Sequence, residues 1–300
     1  MKKIPGIPGL LVFLLAVMLS GCKSGNNQHE YARAITVSIL PQKYLVDQLS
    51  GNRFEVNVMI PPGASPVTYE PSPKQISDMG NSTAYLRIGH IVFEKVWMDK
   101  IKSANPHLQI FDQSKHVDLI SEGKNRKTSD AASQKINVDP HIWLSPESVK
   151  TQLINIRDML IKLDSANREV YSGNCQRLQE KIDSLDARIR KSLEGMDNRG
   201  FLIFHPALSY FARDYQLEQI AVQHEGKEPS AARIRDLVDE ARKRNIKVVM
   251  IQKQFSTDEA KALAQELDGE VIQIDPLAYN WLENMKTITR KMHQALKDTG

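Results

Sequence analysis

Short apolar runs of strand length alternate with stretches whose apolar residues recur every three or four positions. The alternation happens twice, on either side of one long helical segment. Residues 34–40 predict a strand stopped by Pro41, and Tyr44, Leu45 and Leu49 follow at helical spacing up to Gly51. Residues 54–60 alternate as a half-buried strand does, until Pro61, Pro62 and Gly63 break the run. Residues 64–73 form a loop, and helical sequence resumes at Pro73. Residues 84–89 predict a third strand, 93–101 a helix and 108–111 a fourth strand. Strands that alternate with helices imply a mostly parallel sheet covered on both faces.

Residues 118–137 are rich in lysine, serine and aspartate and predict a mobile surface loop. Ser145 then caps a helix with Pro146 at its first position, and Val149, Leu153, Ile156, Leu160 and Leu163 mark its buried face. A second helix spans 165–193, with Tyr171, Cys175, Leu178, Ile182, Leu185 and Ile189 on one stripe and charges elsewhere. Unbroken, it is roughly 40 Å long. The stripe is shorter than a persuasive coiled-coil seam, so a strut between two lobes suits it better. Beyond Gly200 the first rhythm restarts. Strands are predicted at 201–204, 219–222, 246–251 and 270–274. Helices are predicted at 206–215, from a Ser230 cap to near Asn245, from a Thr257 cap to Leu267, and at 281–296. The chain therefore predicts an α/β fold of two lobes, 33–164 and 195–300, joined by a helix at 165–194.

The amino terminus changes the picture. Lys2 and Lys3 precede an apolar run too short to remain across a bilayer, and Leu19-Ser20-Gly21-Cys22 has the form of a lipobox. Residues 1–21 read as a lipoprotein signal peptide, Cys22 as the lipidation site and 22–32 as a tether. The formal charge of +4 falls to +2 when Lys2 and Lys3 are removed, with acids and bases interspersed and no aromatic-basic cluster, so nucleic acid is not an expected partner. With Cys22 acylated, Cys175 has no internal disulfide partner. Its place on an apolar stripe makes it buried filler.

The candidate chemistry lies where strands end. His205 comes one residue after the strand ending at Phe204, and Asp275 one residue after the strand ending at Ile274. Each precedes a proline. His141 sits in a proline-bounded turn, Asp139-Pro140-His141-Ile142-Trp143-Leu144-Ser145-Pro146. Ligands in open α/β sheets bind outside the carboxyl ends of the strands. Two imidazoles and a carboxylate could there hold a metal through nitrogen and oxygen. A lone histidine at a strand end is more often a satisfied polar residue, so the residues alone leave both readings open.

A set of segments then carries a family resemblance. They are Pro62-Gly63-Ala64-Ser65-Pro66 with Tyr69-Glu70-Pro71-Ser72-Pro73; Asp139-Pro140-His141-Ile142-Trp143; Phe204-His205-Pro206-Ala207 with Tyr210-Phe211-Ala212; Glu225-Gly226-Lys227-Glu228-Pro229-Ser230; Gln254-Phe255-Ser256-Thr257; and Asp275-Pro276-Leu277-Ala278 with Trp281. In this order, over nearly the whole mature chain, they resemble the zinc and manganese substrate-binding lipoproteins of ABC importers (ZnuA/TroA-like, cluster A-I). The resemblance implies two Rossmann-like lobes joined by a long rigid helix, with a metal site in the interlobe cleft. It implies His141, His205 and Asp275 as metal ligands. A histidine at 205, where manganese-selective members carry a carboxylate, favours Zn²⁺ over Mn²⁺ by ligand softness.

One position departs from the pattern. Val67 stands where the family usually places its first histidine ligand, and valine cannot bind metal. His90, Glu70, His224 and Glu225 are candidates for a fourth ligand, with water as the other option. A histidine-rich insertion is also missing between His116 and His141. His29, His107, His116 and His293 are expected at the surface, and Trp143 and Trp281 as packing residues beside the site.

The function implied is a non-enzymatic, monomeric carrier. It is lipid-anchored to a bacterial membrane, faces the periplasm or cell exterior, and delivers a divalent metal to an ABC permease. The alternatives are an Mn²⁺-binding relative, a metal-dependent hydrolase with an open coordination position, and a surface adhesin. No His-Glu-x-x-His motif supports the hydrolase.

Overall fold

The computed structural model describes residues 34–122, 137–223 and 229–297. Cys22 with its leader and tether, most of the 118–137 loop, and His29, His224 and Glu225 lie outside the described residues.

The amino-terminal lobe runs β1 (Ala34–Val37), α1 (Leu40–Ser50), β2 (Glu55–Val58), α2 (Pro73–Asp78), β3 (Ser82–Arg87), α3 (Val92–Ala104) and β4 (Gln109–Asp112). Its sheet has the order β2-β1-β3-β4 with every pair parallel. β1 ends three residues earlier than its apolar run suggests. Pro41 does not stop the strand but sits in the first turn of α1, where a missing N–H costs nothing. Gln42 turns back and its side-chain oxygen accepts from the Ser38 and Ile39 N–H groups. This closes the helix start that Pro41 opens.

The ends of the 118–137 segment are held, contrary to the expectation of a loop loose throughout. A two-stranded antiparallel ribbon joins β5 (Ser121–Glu122) to β6 (Asn137–Val138), and the Ile120 N–H donates to the Tyr210 hydroxyl. A 3₁₀ turn at Ile142–Leu144 leads into α4 (Pro146–Leu163), where Ser145 Oγ accepts from the Ser148 N–H at 2.9 Å. α5 (Arg168–Ser192) is the long helix.

The carboxyl-terminal lobe runs β7 (Gly200–Ile203), α6 (Ser209–Asp214), β8 (Glu218–Ala221), α7 (Ala231–Lys243), β9 (Val248–Gln252), α8 (Asp258–Glu266), β10 (Glu270–Ile274) and α9 (Trp281–Lys297). Its parallel sheet has the order β10-β9-β7-β8. Both sheets therefore place their first strand between the second and third, with the fourth outside the third. The chain reverses its winding at the β1/β3 and β7/β9 boundaries, and ligands of open α/β sheets bind at such switch points. Two local expectations are corrected. The helix predicted from Pro206 begins at Ser209, because residues 205–207 are drawn into a turn closed by the Ala207 N–H on the His205 carbonyl. Thr257 occupies the cap position of α8 without a side-chain hydrogen bond.

α5 is a strut only in part. Tyr171, Cys175, Leu178, Ile182, Leu185 and Ile189 are all buried, and the helix packs on α1, α4 and α9. Burial of each large apolar side chain contributes about 1.5–3 kcal/mol. The main core runs from the first sheet through α4 and α5 to one face of the second sheet, where Phe201, Ile203, Val248 and Met250 point. Leu202, Phe204, Val249 and Ile251 alternate to the other face and pack with α7 and α8. The two sheets thus share one apolar core, which limits how far they can move apart. Cys175 is buried there, its Sγ 3.8 Å from the Leu153 carbonyl, and burial pushes its thiol pKa up.

Candidate metal centre

His141 follows the β6 ribbon and opens the 3₁₀ turn, so its backbone is fixed from both sides. Asp139, only 3% exposed, accepts from the His141 N–H at 2.9 Å and from His141 Nδ1 at 2.8 Å through the same oxygen. Burial alone would raise the Asp139 carboxyl pKa. The imidazole of His141 and hydrogen bonds from His141 and Ser209 outweigh it and hold the pKa below the ordinary value. A carboxylate can only accept, so Nδ1 carries a proton and Nε2 is the ring nitrogen left to face a metal. Carboxylates orient metal-binding histidines in this way. Asp139 was not singled out in the sequence, where it appears only as the first residue of the Asp139-Pro140-His141 segment.

His205 arrives from the carboxyl end of β7, at the switch point of the second sheet. Its carbonyl accepts from Gln252 Nε2 at 2.6 Å, and its ring stacks on Phe255 at 5.4 Å between centroids. The rings of His141 and His205 meet edge to face, 5.3 Å apart. Burial, then the neighbouring His141, lowers the His205 pKa to about 4, so the ring is neutral at physiological pH. The Asp139 charge and then Gln223 oppose this shift, and among the described residues the buried Nδ1 meets no partner at hydrogen-bonding geometry. A neutral, desolvated imidazole with an unpartnered nitrogen is poised to bind something.

Asp275 follows β10 as expected, but its carboxylate is engaged. Oδ1 accepts from the Leu277 N–H at 3.0 Å and from Gln254 Nε2 at 3.3 Å, and Lys253 Nζ lies 3.5 Å from Oδ2. The turn after it is tied to the His141 turn by two tryptophans. Trp143 Nε1 donates to the Pro276 carbonyl at 2.9 Å, and Trp281 Nε1 donates to the Trp143 carbonyl at 2.6 Å. Both rings are fully buried, so they are packing residues that also hold the segments after His141 and Asp275 together.

A cavity of about 190 Å³ lies between the two sheets' carboxyl ends, lined by Val67, His90, His141, His205, Gln254 and Leu277 among others. Val67 is 42% exposed at its mouth. Glu70 is exposed and does not line the cavity. Asp275 is also absent from the wall, although its neighbours Pro276 and Leu277 form part of it. Among the described residues, no three His, Cys, Asp or Glu side chains converge closely enough to hold a metal ion. The structure therefore brings His141 and His205 together, sets His90 on the same wall and leaves Asp275 engaged at the edge. The other described histidines lie elsewhere. His107 and His116 are exposed, whereas His293 is half-buried, its Nδ1 2.8 Å from the Ser192 carbonyl.

His90 follows β3 at the switch point of the first sheet. Burial lowers its pKa. Asp112 opposes the shift, and Lys95 and Arg87 add to it. The backbone before it is pinned by Glu94, which is 3% exposed and accepts from the Ile88 N–H at 2.8 Å and the Gly89 N–H at 2.7 Å, with the Ser38 hydroxyl as a third donor.

Residues 35–295 match the model of the family described as zinc-uptake complex component A, periplasmic (ZnuA). The chain belongs to this family. A crystal structure of ZnuA superposes with a TM-score of 0.81 at 36% identity, over 88% of this chain and 99% of that one. A ZnuA 138–173 deletion mutant with zinc bound gives 0.80 at 36% identity, over 88% and 97%. The high-affinity zinc uptake system protein ZnuA of Bacillus subtilis is 25% identical over 81% of this chain and 78% of its own length. The family is one of periplasmic metal-binding transport components, in keeping with the two parallel-sheet lobes.

Proposed function

We propose that this chain captures Zn²⁺ outside the cytoplasmic membrane, in the cavity between its lobes, and hands it to an ABC permease. His141 and His205 are the first two ligands. Asp275 joins them when its loop exchanges the Gln254 and Lys253 contacts for the metal. One observation carries the reading: an imidazole from each half of the chain meets the other at 5.3 Å, one oriented by Asp139 and one neutral, with a buried nitrogen that is unpartnered among the described residues. Imidazole donors suit zinc better than manganese, which prefers oxygen. The chain acts as a carrier, in keeping with a family of metal-binding transport components. Acylated Cys22 would hold the monomer at the membrane, and the lobes 33–164 and 195–300 with the helix 165–194 would move as little as their shared core allows.

Titration of metal-free protein with Zn²⁺ against a chromogenic chelator tests this. The expected result is one zinc per chain with a Kd on the order of 1 µM or tighter, and weaker binding of Mn²⁺. Absence of binding to either ion would contradict the proposal.

A further inference from the structure

Val67 lines the cavity but offers no donor atom. We propose that His90 supplies the ligand that Val67 cannot, its ring turning in from the wall on metal binding, since in the metal-free chain no three such side chains converge among the described residues, so that the amino-terminal lobe holds the metal through His90 and His141. This inference rests on the zinc-capture reading.

Three observations point to it. The first is placement. His90 lies on the wall that also carries Val67, His141 and His205, and it follows the strand that flanks the first sheet's switch point, as His205 follows one flanking the second. The Phe93 N–H donates to the Pro66 carbonyl at 3.1 Å, so the start of α3 and the loop carrying Val67 move as one wall. A ligand lost from the loop can be replaced from the segment tied to it.

The second is presentation. Gly89 has φ of +109°, and a Cβ there would lie 2.7 Å from Ser114 Oγ, so only glycine permits this turn. Glu94 fixes the N–H groups of Ile88 and Gly89. The backbone therefore delivers His90 to the cavity with little freedom left at its root.

The third is elimination along the wall. Gln252 is bonded to the His205 backbone and the Trp143 N–H to Pro276, and the Gln254 amide oxygen is a poorer zinc donor than imidazole. Ser65 accepts from the Val67 N–H, and the Lys95 ammonium has no lone pair to give. Among the described residues, the His90 imidazole is the remaining donor on the wall that zinc prefers.

Zinc titration and the visible spectrum of the Co²⁺ form test this in wild type, His90→Ala, His90→Gln, Val67→His and the double variant Val67→His/His90→Ala. Both His90 variants are expected to bind zinc at least about 10-fold more weakly than wild type. Their Co²⁺ spectra should lose the intense bands of a four-coordinate site. The double variant should recover both properties, because a histidine at 67 restores the donor from the neighbouring loop. If the His90 variants match wild type in affinity and spectrum while His205→Ala is impaired, zinc capture stands and the role of His90 is overturned. If wild type binds no zinc, the reading beneath the inference fails first.

Discussion

His205→Ala is expected to lower zinc affinity by about 100-fold or more while leaving the metal-free fold almost unchanged. A complete zinc site has an apparent binding free energy of about 10–16 kcal/mol, so one of four ligands carries roughly 3 kcal/mol, or about two decades in Kd. Among the described residues, the buried Nδ1 of His205 meets no partner at hydrogen-bonding geometry. Such an unpaired group costs about 1–3 kcal/mol. Its removal offsets the loss of the Phe255 stacking contact in the metal-free state. The metal-free melting temperature should therefore stay within a few degrees of wild type, roughly the span of 1–2 kcal/mol, and the zinc-induced rise should disappear. A comparable fall in the metal-free melting temperature would instead mark His205 as a structural residue.

The second large effect concerns Glu94. Burial raises its pKa from the ordinary 4.5 to about 7, against hydrogen bonds from Ser38, Gly89 and Ile88 that favour the ionised form. A folded-state pKa above the unfolded one means the folded chain binds the proton more tightly. Stability from this group is then complete below about pH 4.5 and is lost as pH rises through 7, by about 3 kcal/mol at most. Glu94→Gln cannot titrate, so its unfolding free energy in the presence of a chelator should lack this decline. The variant carries its own cost, since an amide N–H₂ would face one of the backbone donors. It should therefore be less stable than wild type at acid pH, with the gap closing as pH rises. Denaturant unfolding of both proteins between pH 4.5 and 8 measures this, and parallel profiles would rule it out.

The fold was legible because its period is simple. Apolar runs such as 201–204 and 246–251 are strands buried on both faces, and the stripe from Tyr171 to Ile189 marks α5. What escaped was set by single residues at element ends. Pro41 looks like a strand terminator until Gln42 closes the helix start beside it. The shared core escaped as well, because apolar spacing tells which face of a helix is buried and not that α5 and α9 bury theirs against both sheets' layers. In the site, His141 and His205 were visible from their placement at turns and strand ends. Asp139 was not, since a carboxylate two residues before a histidine becomes its partner only in this turn geometry. Glu70 lies exposed and off the cavity wall, because nearness in sequence to a loop at the cavity does not fix where a side chain sits.

The central claim is that a zinc ion is held between the two halves of the chain. An anomalous difference map at the zinc edge, from crystals of the zinc-loaded protein, tests it most directly. The account predicts one strong peak about 2.0–2.1 Å from Nε2 of His141 and from a ring nitrogen of His205. A peak confined to exposed histidines such as His107 or His116, with the space between His141 and His205 featureless, would contradict it.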